Sequence, residues 1–157
     1  MNPELDLTLE RVIRAPRAAV WLAWTDPSRF EQWWIPSPLT CRVDRLEVRP
    51  GGAMVTRMSE DGTNFVPHMD ASFLVVEDRE RLVFTNAIDS TWRPANPQPV
   101  AMTAEITLSD HPDGTNYHVT VTHADPQARA HHEQLGFLEG WGTVTDQLAE
   151  IAESQGR

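Results

Sequence analysis

Lysine is absent from this 157-residue sequence, so all 13 basic residues are arginine, against 23 acidic residues and a net charge of −10. An acidic surface repels phosphate backbones and anionic lipid headgroups, so we expect no nucleic acid and no membrane as partners. No apolar run approaches the roughly 20 residues of a membrane span. The first residues also lack the basic-then-apolar pattern of a secretion signal. These absences predict a soluble, cytoplasmic protein.

Several kinds of reactive group are also missing. Cysteine occurs once, at Cys41, which excludes an internal disulfide and a cysteine-rich metal site. There is no GxSxG pattern for a nucleophilic serine and no lysine nucleophile. His131, His132 and Glu133 lack the second histidine, four residues on, that an HExxH zinc site requires. We therefore predict no metal and no cofactor, and no residue set in the sequence compels catalysis.

Periodicity gives the order of the elements that are present. Alternating apolar residues predict a first strand, LDLTLERVI, which is followed by two short helices, PRAAVWLAW and PSRFEQWW. Five or six further strands follow, with a change of phase that predicts a bulge near Asp44 and Arg45 and a hairpin at HPDG. A long helical pattern from about Asp125 to Ser154 ends the chain. Consecutive hairpins predict an antiparallel sheet with the helices on one face, in a single α+β domain over residues 1–157.

The C-terminal helical pattern combines an apolar stripe with glycines. The stripe consists of Phe137, Trp141, Val144, Leu148 and Ile151, and Leu138 and Ala152 widen it. Gly136 and Gly140 each cost roughly 0.5–1 kcal/mol in a helix interior relative to alanine. Either the helix needs small residues there, for close approach to the sheet or to leave space for a ligand, or a kink separates two helical segments.

Two adjacent tryptophans close the second short helix. Neighbouring helical side chains point about 100° apart, so Trp33 and Trp34 cannot both serve one packed face. We expect one indole to seal the core and Trp34 to form part of a cavity wall, where stacking favours flat apolar ligands.

A series of blocks along almost the whole chain resembles a known superfamily. These are RVIRAPRAAVW, TDPSRFEQWW, VRPGG, RLVFTNA, TWRPANPQP, GTNYHVTVTHAD and HHEQLGFLEGWG. In this order they resemble the START-like, Bet v 1-like superfamily (SRPBCC), in the activator of Hsp90 ATPase (AHSA1-type) branch and its bacterial polyketide cyclase-like subgroup. The resemblance implies a helix-grip fold, in which a curved antiparallel sheet of six to seven strands wraps around a long C-terminal helix, with two short helices after strand 1. It also implies a cavity between helix and sheet, which the bulky HMDAS, residues 68–72, should narrow.

The predicted site residues lie on the strand faces and helices that would enclose this cavity. We predict ligand-binding roles for Trp34, Met54, Met58, His68, Phe84, Trp92, Met102, Tyr117, Phe137 and Trp141. The candidates for acid or base catalysis are His123, His132 and Glu133, although His123 could instead pin the helix to the sheet. His68 and Asp70, two residues apart on one strand, are compatible with an acid/base pair but equally with an exposed strand.

Three functions are compatible with this pattern. The first is a small-molecule binding protein that holds a hydrophobic or aromatic ligand between sheet and C-terminal helix. The second is a polyketide cyclase-like enzyme that uses histidine, glutamate or tyrosine side chains in the pocket. The third is a chaperone-partner interaction module like the family's namesake. We expect binding rather than catalysis, with a hydrophobic small molecule as partner, and a homodimer is compatible with the sequence.

Overall fold

Seven strands form one open antiparallel sheet in the computed structural model of the protein, which describes residues 2–155. The strands are β1 (Asp6–Ile13), β2 (Thr40–Leu46), β3 (Ala53–Ser59), β4 (Val66–Glu77), β5 (Arg81–Thr85), β6 (Thr103–His111) and β7 (Gly114–Thr122). The helices are α1 (Arg17–Thr25), α2 (Pro27–Phe30), α3 (Pro126–Gln134) and α4 (Phe137–Gln155). The predicted α+β class, with six to seven strands and two short helices after the first strand, is confirmed.

Local turns determine most of the sheet order, which is β1-β7-β6-β5-β4-β3-β2. Strands β2 to β6 each pair with the next strand along the chain, as consecutive hairpins require. The predicted hairpin at HPDG joins β6 to β7, and the predicted bulge appears as a register shift between Val43 and Arg45. Strand β1 pairs with β7, the last strand, because the chain leaves the sheet for α1 and α2 before it returns.

The second short helix is shorter than predicted. Asp26 caps it by accepting a hydrogen bond from the Ser28 backbone N–H, and Pro27 occupies the first turn. The helix ends at Phe30, and Trp33 and Trp34 lie in the turn that follows rather than in its last turn. The angle of about 100° between neighbouring helical side chains, on which the prediction for these two indoles rested, therefore does not apply.

The long C-terminal helix is two helices, as the kink alternative proposed. Gly136 has φ of +93°, a conformation that L-residues rarely adopt and that a right-handed helix cannot include. Helix α3 therefore ends before it and α4 begins after it. Phe137, Trp141, Val144, Leu148 and Ala152 form the buried stripe, whereas Leu138 is 56% exposed and does not belong to it.

The core lies between the sheet and α4, with α1 packed alongside. Helix α4 contacts α1 and β1, and its stripe belongs to the same hydrophobic cluster as the inward residues of β6 and β7, among them Ile106, Val119 and Val121. Among the residues described, no helix is both long enough and apolar enough to cross a membrane.

Candidate functional site

Two adjoining cavities lie between α4 and the sheet. Both are lined by the same five residues, which are His68, Met69, Met102, Gly140 and Trp141. The first, of about 210 Å³, is completed by Trp34, Pro36 and Val144. The second, of about 290 Å³, extends toward the junction of α3 and α4 and is completed by Asn86, Gln98, Pro99, Val100, His132, Leu135, Gly136 and Phe137. The space beneath the helix is therefore not completely filled by side chains.

A larger hollow, of about 560 Å³, lies on strands β1, β6 and β7. Its lining is mostly polar, with Glu10, Thr107, Ser109, Asn116 and His118 among the contributors. Ligand sites are concave and mostly apolar with a few polar groups. The two cavities under α4 fit that description better, so they are the candidate site.

A β-bulge places two consecutive residues of β4 on the cavity wall. Thr56 pairs with Met69 and Arg57 pairs with Pro67, so His68 has no partner of its own on β3. Side chains alternate between the faces of a regular strand, and a bulge interrupts that alternation. His68 and Met69 therefore both line the cavities, and Asp70 does not.

This bulge separates His68 from Asp70, which the sequence placed on one strand face. The Nδ1 atom of His68 lies 3.0 Å from the Oγ1 atom of the buried Thr56, and its ring packs edge-on against Trp34 with centroids 6.4 Å apart. Partial burial lowers the pKa of His68, although the residue as a whole remains exposed at the cavity mouth. The Asp70 Oδ1 atom instead accepts from the Ser90 backbone N–H at 2.7 Å, so no acid/base pair forms.

Both indoles of the tryptophan doublet are buried. Their rings are nearly perpendicular, at 88°, and both contact Trp24 and Phe30. Trp33 donates its Nε1–H to the Ala23 carbonyl oxygen at 2.8 Å. The Nε1 atom of Trp34 is buried with no hydrogen-bond partner among the described residues, and its ring contacts Trp141 across the cavity wall. Trp33 thus anchors the turn to α1, and Trp34 separates the core from the cavity.

Gln147 of α4 holds the tryptophan turn in place. Its side-chain amide donates to the carbonyl oxygens of Trp33 and Ile35, both at 3.0 Å, and its carbonyl oxygen accepts from the Ser37 backbone N–H at 2.8 Å. A single side chain therefore satisfies three backbone groups of a turn that has no regular structure. No sequence signal marked this residue, because its partners lie more than 100 positions away.

His123 and His132 form a hydrogen-bonded pair that links the end of β7 to α3. The His123 Nδ1 atom lies 2.8 Å from the Leu5 carbonyl oxygen, and its Nε2 atom lies 2.8 Å from the His132 Nδ1 atom. His123 is buried, and its two hydrogen bonds join α3 to the sheet, as the pinning role requires. His132 lines the cavity of about 290 Å³. Burial, together with the neighbouring imidazoles of His123 and His131, lowers the pKa of His132 to about 4.

Gly140 forms part of both cavity walls. A Cβ atom built at this position meets no atom within 4 Å, so close approach to the sheet does not explain the glycine. The position is open to both cavities, and the other expected role of a glycine there, space for a ligand, stays a prediction.

The structure brings together five of the ten predicted ligand-binding residues around the cavities, namely Trp34, His68, Met102, Phe137 and Trp141. The other five lie elsewhere. Met54 and Phe84 are fully buried in the core, and Tyr117 is buried where it accepts a hydrogen bond from Trp24 Nε1 at 3.0 Å. Met58 lines a separate hollow beside Asp61 and Asn64. Trp92 is 68% exposed and donates its Nε1–H to the Gly51 carbonyl oxygen, so it does not reach the cavity.

Sequence reasoning missed several lining residues. Met69 was not predicted because regular strand alternation places it on the face opposite His68. The bulge interrupts this alternation and turns Met69 toward the cavities. Asn86 follows a strand, where a polar residue gives no sign of a cavity. Its side chain accepts a hydrogen bond from the Met102 backbone N–H and donates one to the Val100 carbonyl oxygen. Both of its polar ends are therefore occupied within the protein.

The site offers little conventional catalytic chemistry. Glu133, the third candidate for acid or base catalysis, is exposed and pairs with Arg129 on its own helix at 3.4 Å. No group of three or more histidine, cysteine, aspartate or glutamate side chains that could hold a metal ion occurs within residues 2–155. Among the side chains that line the cavities, the imidazoles of His68 and His132 and the exposed amide of Gln98 keep polar atoms that no described residue bonds.

Comparison with known proteins gives a family and several similar structures. A family model described as "Activator of Hsp90 ATPase homolog 1-like protein" matches residues 14–153. A crystal structure of a protein from Nitrosomonas europaea is 38% identical in sequence, with 99% of this chain and 98% of that chain covered and a TM-score of 0.86. The AHSA1-like protein of Aeromonas hydrophila has the same fold at 22% identity and a TM-score of 0.71, covering 97% of this chain and 94% of that one. No protein of curated function matches significantly.

Proposed function

This chain belongs to the Activator of Hsp90 ATPase homolog 1-like family, and we propose that it binds a small hydrophobic or aromatic molecule between the sheet and α4. The observation that carries this proposal is the pair of cavities walled by Trp141 and Met102, the smaller of which is also walled by Trp34. Apolar walls with a few polar groups are the usual composition of a ligand site.

Cavity size limits the ligand to a small molecule. Ligand pockets in proteins usually occupy about 300–1,000 Å³. The individual volumes of about 210 and 290 Å³ lie just below that range, and the two cavities adjoin through five shared wall residues. A flat one- or two-ring compound therefore fits better than a long lipid chain, and the edge-on indoles can contact its face and rim.

Gly140 supports the same proposal from the side of the helix. Glycine costs roughly 0.5–1 kcal/mol in a helix interior relative to alanine. Because nothing lies within 4 Å of the missing Cβ, packing does not require that cost. Room for a ligand is a reason to keep a glycine at this position.

The test is equilibrium dialysis of the protein against naphthalene, with native mass spectrometry beforehand to establish whether a molecule already occupies the site. We expect saturable binding with one molecule per chain. Gly140→Leu should fill the cavity and weaken binding at least tenfold. Gly142→Leu is the matched control, because Gly142 lies on the same helix, also has open space at its Cβ position and does not line the cavities.

Three results would contradict the proposal. If the wild-type protein binds no naphthalene and carries no other small molecule, a role as a protein-interaction module is favoured. If Gly140→Leu binds as well as the wild type while its circular dichroism is unchanged, the ligand site lies elsewhere. If mass spectrometry detects conversion of a bound polyketide-like compound, the protein is a cyclase-like enzyme.

A further inference from the structure

The hydrogen bonds of the histidine pair determine which ring nitrogens carry protons. A carbonyl oxygen can only accept, so His123 must donate its Nδ1–H to Leu5. In a neutral imidazole the other nitrogen is then an acceptor, so His123 Nε2 receives the Nδ1–H of His132. The remaining nitrogen, Nε2 of His132, consequently carries a lone pair. No other assignment of protons satisfies both hydrogen bonds while both rings are neutral.

The Nε2 atom of His132 is accessible to a ligand. His132 lines the cavity of about 290 Å³, and its ring packs edge-on against Phe137 with centroids 5.2 Å apart. No described residue is hydrogen-bonded to this nitrogen. Because it is not among the buried polar atoms that lack a partner, the nitrogen is exposed. The low pKa of His132, about 4, keeps the ring neutral at pH 7, so the lone pair is retained.

We infer that the cavity selects a flat apolar molecule that bears a hydroxyl or N–H group, which donates a hydrogen bond to His132 Nε2. This inference rests on the proposed binding function and names the class of ligand. His132 is the ligand-contacting group, and His123 is a positioning residue that fixes the proton on His132 Nδ1. Asn86 is the poorer acceptor, because its carbonyl oxygen already accepts a hydrogen bond from the Met102 backbone N–H.

The tautomers can be measured in the wild-type protein without a ligand. Long-range ¹H–¹⁵N correlation spectra of histidine-labelled protein at pH 7 should show both His123 and His132 protonated at Nδ1 and unprotonated at Nε2. His123→Leu should remove the constraint and give His132 a mixture of tautomers. A His132 ring protonated at Nε2 in the wild type would overturn the inference.

Ligand selection is tested by equilibrium dialysis with three matched compounds: 1-naphthol, which can donate, 1-methoxynaphthalene, which can only accept, and naphthalene. We expect 1-naphthol to bind about tenfold more tightly than 1-methoxynaphthalene, because one hydrogen bond to a partly buried acceptor is made with the first and lost with the second. His132→Phe should abolish this preference and retain naphthalene binding. His131→Phe is the control, since His131 is the adjacent imidazole and does not line the cavity.

The outcomes separate this inference from the proposed function. If naphthalene binds but 1-methoxynaphthalene equals or exceeds 1-naphthol in the wild type, His132 does not act as an acceptor and the inference fails alone. If the preference survives in His132→Phe, another group accepts the bond and the assignment to His132 is wrong. If none of the three compounds binds, the proposed function and the ligand class fail together.

Discussion

Replacement of the three glycines around the start of α4 should separate the left-handed position Gly136 from the two open helical positions Gly140 and Gly142. At Gly140 and Gly142 the added Cβ meets no atom within 4 Å, and both positions lie inside a helix. Alanine should therefore raise the free energy of unfolding by about 0.5–1 kcal/mol at each site through helix propensity alone. For a protein of this length, 1 kcal/mol corresponds to a rise in Tm of about 2–4 °C.

Gly136→Ala should have the opposite effect. Its φ of +93° is unfavourable for alanine, whereas the nearest side-chain atom, in Glu139, would lie at an ordinary contact distance of 3.4 Å. Backbone strain is thus the main cost, about 1–3 kcal/mol. Urea unfolding followed by tryptophan fluorescence, together with thermal melts by circular dichroism, measures all three variants.

The result that would refute this reasoning is a loss of stability in Gly140→Ala. Such a loss would mean that the helix moves closer to the sheet in solution and that the space beside Gly140 is filled by protein. A neutral Gly136→Ala would similarly show that α3 and α4 need no left-handed residue between them.

Three further predictions concern the surroundings of the cavity. Because the pKa of His132 lies near 4 in the folded protein and 6.5 is its ordinary value, the unfolded chain takes up a proton that the folded protein does not. Stability is therefore fully present above pH 6.5 and falls by up to about 3 kcal/mol toward pH 4. Urea unfolding at pH 7, 5.5 and 4.5 should show this loss and a smaller one in His132→Phe. Gln147→Leu leaves three backbone groups of the tryptophan turn without their partner and should cost about 1–3 kcal/mol in the same assay. Trp33→Phe should cost about 1–2 kcal/mol more than Trp34→Phe, because only Trp33 loses a hydrogen bond; equal losses would show that the bond to Ala23 adds nothing.

The sequence by itself determined the elements and most of their order. Strand alternation and helix periodicity are properties of neighbouring residues, so the hairpin at HPDG, the bulge after Val43 and the buried stripe on α4 could all be predicted locally. The resemblance of the sequence blocks to a family supplied the helix-grip arrangement and the position of the cavity.

Tertiary structure decided which of the predicted residues face that cavity and which unpredicted residues join them. The bulge at His68 depends on the register between β3 and β4, and it turns Met69 inward against the alternation of the strand. The proton positions in the histidine pair depend on the carbonyl of Leu5, which lies 118 positions before His123. Hydrogen bonds and registers of this kind join distant parts of the chain, so no local pattern of residue types could have specified them.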